Sequence, residues 1–149
     1  MKGMKVLTSS LRDDWETPMK LFDQLDSEFD FTLDAAADSR NHKCEKYFSI
    51  NDDGLSMSWS GERVFCNPPY GRGVGAWLEK AHNEVLLGDC PLAVLLVAAR
   101  TDTIWFHDFV LGKADIRFVR GRIRFGGSNT NAPFPSMIVI YKKEESDWN

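Results

Sequence analysis

The chemistry in this chain concentrates in four consecutive residues, Asn67-Pro68-Pro69-Tyr70. Asparagine offers an amide oxygen as acceptor, and Pro68 a backbone carbonyl. Neither proline brings an N–H donor, so the local backbone presents carbonyls, and Tyr70 adds a flat ring. Two acceptors beside an aromatic face make a receptor for a planar group bearing –NH₂. Accepting both N–H bonds draws the nitrogen lone pair out of conjugation, toward an electrophile. No proton has to leave before attack, so no histidine or carboxylate base is demanded nearby. Read as structure alone, the same four residues make a rigid strand-to-loop corner.

Other chemistries find less support. His42, His82 and His107 lie on separate segments without metal-ligand spacing to Cys44, Cys66 or Cys90, so no metal site is expected. Three scattered cysteines argue for reduced thiols rather than a disulfide framework. Cys66, beside Asn67, reads as a small buried side chain and not a nucleophile. Gly71-Arg72-Gly73-Val74-Gly75 has neither dinucleotide-fingerprint nor P-loop spacing and reads as a flexible loop beside the corner.

The elements that must position the corner follow from pattern. Thr17-Pro18 suits a helix start, with Leu21, Phe22, Leu25 and Phe29 on one face. Phe31 to Asp34 reads as a strand running out at an acid, and Lys46 to Ile50 as another short strand. Arg63 to Cys66 is a strand stopped by the two prolines. Residues 76–87 read as a helix with Trp77, Leu78, Ala81, Val85 and Leu86 inward. Leu92 to Ala99 is an unbroken apolar run, as a central strand covered on both faces requires. Thr101-Asp102 caps a helix carrying Ile104, Trp105, Phe109, Val110 and Leu111, closed by Gly112. Ile116 to Val119, Ile123 to Phe125 and Ser136 to Tyr141 complete the strands. Early alternation of strands and helices followed by strands in succession predicts an α/β fold: a doubly wound, mainly parallel sheet with an antiparallel C-terminal edge. Ligands of such sheets sit at the carboxyl ends of the strands, where Asp34, Asn67 and Arg100 fall.

Composition sets the outer bounds. With 149 residues, 43% hydrophobic and 27% charged, the chain matches a single globular domain with no separate recognition domain. No apolar run approaches the roughly 20 residues of a membrane span. Met1–Ser10 lacks a secretory apolar stretch, so a cytoplasmic protein is expected. The net charge of −4 is unevenly spread. Residues 13–62 carry thirteen acids against four bases, whereas residues 112–124 hold Lys113, Arg117, Arg120, Arg122 and Arg124 against Asp115 alone. That basic segment serves either as phosphate contacts or as a solvated strand edge.

Several motifs occur in one order over roughly residues 13–141. They are Trp15-Glu16-Thr17-Pro18, Leu33-Asp34-Ala35-Ala36-Ala37, Asp52-Asp53-Gly54-Leu55 and Cys66-Asn67-Pro68-Pro69-Tyr70-Gly71. Ala99-Arg100-Thr101-Asp102-Thr103-Ile104-Trp105-Phe106, Arg120 to Gly127 and Ala132-Pro133-Phe134-Pro135-Ser136 follow. In this the chain resembles the phage-type DNA N6-adenine methyltransferases, which use S-adenosylmethionine.

The resemblance implies roles residue by residue. Trp15, Thr17 and Pro18 would pack on the methionine part of the cofactor, and Asp34 would bind its ammonium beside Ala35. Asp53 would contact its ribose or adenine. Asn67, Pro68, Pro69 and Tyr70 would hold the target base, and Arg100, Arg120, Arg122 and Arg124 would contact DNA. The chain departs from the broader methyltransferase pattern where Ala35-Ala36-Ala37 replaces the glycine-rich turn. The expectation is methyl transfer by direct displacement to N6 of a flipped-out adenine, in the cytoplasm, which is the host cell's if the protein is phage-encoded. The same acceptor geometry also suits RNA or a protein glutamine amide. A non-catalytic nucleic-acid-binding remnant of the fold is the reading from another class.

Overall fold

The computed structural model describes residues 16–70, 73–126 and 130–143. Trp15, Gly71, Arg72 and residues 127–129 lie outside the described residues. Helix α1 spans Met19–Phe29, strand β1 Leu33–Asp34 and strand β2 Arg63–Cys66. Helix α2 spans Val74–His82 and runs into a π-helical turn, Asn83–Leu87. Strand β3 (Leu92–Ala98), helix α3 (Ile104–Phe109), strand β4 (Asp115–Phe118) and strand β5 (Ser136–Lys142) follow.

The five strands form one open sheet in the order β1-β2-β3-β5-β4. β1, β2 and β3 pair in parallel, while β5 runs antiparallel to both β3 and β4. Four strands therefore point one way, and their carboxyl ends share one edge of the sheet. The antiparallel strand is not the edge, as the pattern predicted; it is inserted next to β3, and β4 is the edge. The side chains explain this. Ser136 to Tyr141 is buried throughout and needs a neighbour on each side, whereas Asp115-Ile116-Arg117-Phe118 is mostly exposed and charged, as an edge strand should be.

Every residue of β3 is buried, which accounts for its unbroken apolar run. Its side chains alternate between two cores. Ala93, Leu95 and Val97 face Trp77, Leu78 and Ala81 of α2, Phe106 of α3, and the fully buried Trp59. Leu92, Val94, Leu96 and Ala98 face Phe22, Leu25 and Phe29 of α1 together with Ile123, Phe125 and Phe134. Layers cover both faces of the sheet. Among the described residues, no helix is long and apolar enough to cross a membrane.

Several local expectations shift. Helix α1 begins after Pro18, which occupies the cap position, and Thr17 does not cap it. The cap of α3 is Thr103, whose side chain accepts from the Phe106 N–H, rather than Thr101 or Asp102. Ile104 and Leu111 are exposed, not core. The π-helical turn after His82 rotates the register, so Val85 stays buried while Leu86 swings outward. The segment 46–50 forms only a bridge from Tyr47 to Asp34 on the open side of β1. Ile123 and Phe125 are buried without a strand; the Ile123 carbonyl accepts from the Ala132 N–H instead.

Candidate active site

The shared edge of strand ends builds the site. β1 delivers Asp34 and Ala35, β2 delivers Asn67, and β3 delivers Arg100. β4 points the same way and delivers Val119 to Arg124, with the Val119 N–H held by the Ser136 carbonyl at 3.0 Å. Ala99, just past β3, donates to the Pro135 carbonyl at 2.8 Å. This topology places residues 119–124 of the basic segment on the same edge as the Asn67 corner.

A cavity of about 700 Å³ opens at the β1 and β2 ends. Its walls include Ala35, Ala36, Ala37, Phe48, Asp53, Gly54, Trp77, Asn67 and Pro69, with Glu16 and Gly126 closing one side. The volume lies in the range of small-molecule and cofactor sites. One continuous space thus joins the expected cofactor turn to the Asn67 corner. Phe48, Ser49, Ile50 and Trp77 were not singled out by sequence reasoning. Phe48, Ile50 and Trp77 signalled only apolar character, which equally describes core, and Ser49 carried no signal.

Gly54 shapes this cavity by close approach. A Cβ there would stand 2.2 Å from the Ala35 carbonyl oxygen and 3.1 Å from the Trp77 ring. The Gly54 carbonyl also accepts from Trp59 Nε1 at 3.0 Å. The close-packing glycine absent from Ala35-Ala36-Ala37 is therefore supplied from the opposite wall. Asp53 beside it lines the cavity in the left-handed region, φ 55°, which aspartate tolerates. Its backbone N–H is held by the Ser49 carbonyl at 3.1 Å.

Asp34 is 3% exposed and does not itself line the cavity, although Ala35, Ala36 and Ala37 after it do. Its Oδ2 accepts from the Lys43 N–H at 2.8 Å, while Oδ1 is buried with no hydrogen-bond partner among the described residues. Burial raises its pKa to about 6, opposed by the N–H groups of Lys43 and Ala36 and by the charges of Lys43 and His42. The Ala36 N–H acts here without meeting hydrogen-bond geometry. A buried carboxylate with an idle acceptor is costly unless a cation or donor completes it.

Asn67 is pinned by its amide nitrogen, which donates to Thr17 Oγ1 at 2.9 Å. Pro68 is buried and Pro69 exposed on the cavity wall. Tyr70 differs from the open ring that was expected. Its hydroxyl donates to the Leu96 carbonyl at 2.9 Å, and its ring meets Phe125 edge-on at 6.0 Å and Phe134 at 5.2 Å. Burial pushes its hydroxyl pKa well up, so it is a neutral, fixed aromatic wall, half-buried. Burial likewise raises the thiol of Cys66, with Asp34 adding to the effect, so it is no thiolate nucleophile. Thr17 and Pro18 do not line the cavity, although neighbouring Glu16 does.

The basic segment divides in two. Arg117 is committed to structure: its guanidinium makes a two-pronged pair with Glu28 at 2.7 and 2.5 Å and lies over the Phe29 ring at 5.3 Å. Arg100, Arg120, Arg122 and Arg124 are exposed. Alternation with buried Ile123 and Phe125 turns Arg122 and Arg124 outward, just before Gly126 at the cavity wall.

A mixed α/β sheet thus carries a cofactor-sized cavity at its strand ends, where such sheets bind their ligands, with Asn67 and Pro69 on its wall. The particular family follows from sequence comparison. A family model described as DNA N-6-adenine-methyltransferase (Dam) matches residues 5–148, and the chain belongs to that family. The DNA N-6-adenine-methyltransferase of Escherichia phage T1 is 30% identical over 117 residues, covering 74% of this chain and 46% of that protein. That of Haemophilus phage HP1 is 26% identical over 139 residues, covering 88% of this chain and 79% of that protein. The chain thus spans under half the length of the T1 relative and about four-fifths of the HP1 one.

Proposed function

We propose that this chain transfers a methyl group from S-adenosylmethionine to N6 of adenine in DNA, acting in the cytoplasm. We infer with it that the sheet is a compact, doubly wound Rossmann-like methyltransferase core. The observation carrying the reading is the single cavity that runs from Asp53 and Ala35 to Asn67 and Pro69. Family membership supplies the reaction class.

The residues present fit the cofactor. The cavity has the volume, its Ala35, Phe48 and Trp77 walls are apolar, and Asp34, the residue before Ala35, holds a buried Oδ1 with no hydrogen-bond partner among the described residues. Asp34 would take the ammonium, with Ala35 at the turn, and Asp53 on the rim the ribose or adenine. When bound, S-adenosylmethionine supplies an electrophilic methyl group.

The chain's own residues do the rest. The target adenine leaves the stack at a cost of a few kcal/mol, partly offset by the half-buried ring of Tyr70 and by the acceptors Asn67 and Pro68. Asn67 Oδ1 and the Pro68 carbonyl accept the two N–H bonds of the amino group, Pro69 stiffens the corner, and the nitrogen lone pair is left to attack. Positioning and polarisation are the main catalytic effects, and no base is needed before attack. Arg100, Arg120, Arg122 and Arg124 hold DNA phosphates or read guanine edges along the same edge of the sheet.

Transfer of labelled methyl from S-adenosylmethionine, assayed in parallel on DNA, RNA and protein, tests the reading. The expected product is N6-methyladenine in DNA. Asn67→Ala is expected to lower turnover by about a hundredfold or more, with cofactor affinity changed far less. Label in RNA or protein alone, or near wild-type DNA methylation by Asn67→Ala, overturns it.

A further inference from the structure

We infer that Thr17 is a positioning residue for Asn67, and not a wall of the cofactor site. The inference rests on the reading of Asn67 as the acceptor for the target amine. An asparagine amide has two ends of nearly the same shape, and only the oxygen end can accept from an amino group. A rotated amide would set one –NH₂ against another. Something must hold the amide plane and reward the productive orientation.

Thr17 is placed to do so. Its Oγ1 accepts from Asn67 Nδ2 at 2.9 Å, across fifty residues of sequence. It is 3% exposed and does not line the cavity, while Glu16 beside it does. The hydroxyl is not spent on the helix it precedes: Pro18 holds the cap position of α1, with no side-chain cap bond. Nor is the segment loose. The Gly126 N–H donates to the Glu16 carbonyl at 2.8 Å on one side, and the Phe22 N–H donates to the Pro18 carbonyl at 3.0 Å on the other. Thr17 is thereby a fixed acceptor beneath Asn67. An amide that donates through nitrogen is also a better acceptor at oxygen, so the same bond strengthens the grip on the substrate amine.

The test compares Thr17→Ser with Thr17→Val by single-turnover methyl transfer to DNA, cofactor calorimetry and thermal melting. Thr17→Val keeps the shape and loses the hydroxyl. It is expected to slow transfer at least tenfold while the cofactor dissociation constant stays within twofold. Thr17→Ser is expected to retain most of the rate. A Thr17→Val enzyme within threefold of wild type, a cofactor affinity that falls in step with rate, or Thr17→Ser as impaired as Thr17→Val overturns the inference. Should Thr17→Val fail to fold, the side-chain amide of Asn67 is read by ¹⁵N NMR in the wild-type protein, assigned by its loss in Asn67→Asp. One Nδ2 proton protected from exchange supports the contact, and two freely exchanging protons refute it. Wild-type protein that methylates no DNA removes the functional reading instead, and the NMR measurement still decides the Thr17 contact.

Discussion

Asp34 makes cofactor binding depend on pH in a way that follows from its burial. In the ligand-free protein its carboxyl titrates near pH 6, against an ordinary value of 3.8, because burial penalises the anion. An ammonium ligand needs the anion. The ionised fraction is about 0.09 at pH 5 and about 0.9 at pH 7, so the apparent dissociation constant should be about tenfold weaker at pH 5. The stability of the free protein should run the opposite way. A folded-state value above the unfolded one favours the folded state below about pH 3.8, and that contribution is lost as pH rises through about 6, at most about 3 kcal/mol. Asp34→Asn should abolish both trends: it binds S-adenosylmethionine weakly at every pH, and its melting temperature falls less between pH 4 and 7. Calorimetric titration at pH 5, 6 and 7 and parallel melts of both proteins make the comparison. The mutant also serves as the control for His42 and Lys43, whose charges act on the same carboxyl. A wild-type affinity flat from pH 5 to 7, or one whose slope persists in Asp34→Asn, would refute the reasoning.

Two further perturbations follow from close contacts and charges. Gly54→Ala drives a methyl group into the Ala35 carbonyl and the Trp77 ring; it should cost about 1–3 kcal/mol, lower the melting temperature by several degrees and weaken cofactor binding. A melting temperature within a degree of wild type would show that the wall can yield. Arg122→Gln combined with Arg124→Gln should weaken DNA binding and reduce its log–log salt slope by about 2. Arg117→Gln should leave that slope unchanged, since Glu28 already neutralises the guanidinium. Equal effects from both sets would mean that the exposed arginines are not a specific DNA face.

Much of this molecule was legible as one-dimensional pattern, because pattern reports burial and backbone constraint. The apolar run Leu92 to Ala99 announced a strand covered on both faces, and the prolines after Cys66 announced where β2 must stop. The corner at Asn67 was visible because its residue types carry the chemistry themselves. Contacts between distant segments were not visible. Thr17 looked like a helix cap, and only the meeting of its hydroxyl with Asn67 gave it another partner. Gly54 showed only as one member of the Asp52-Asp53-Gly54-Leu55 motif until the fold brought the Ala35 carbonyl against it. Arg117 counted with its basic neighbours until β4 reached the edge of the sheet and set it against Glu28. Local composition decides which elements form and which residues are able to react. Which groups meet, how deeply Asp34 is buried and which arginines remain available are set by the order of strands, because hydrogen bonds and charges act over a few ångströms in space and not along the chain.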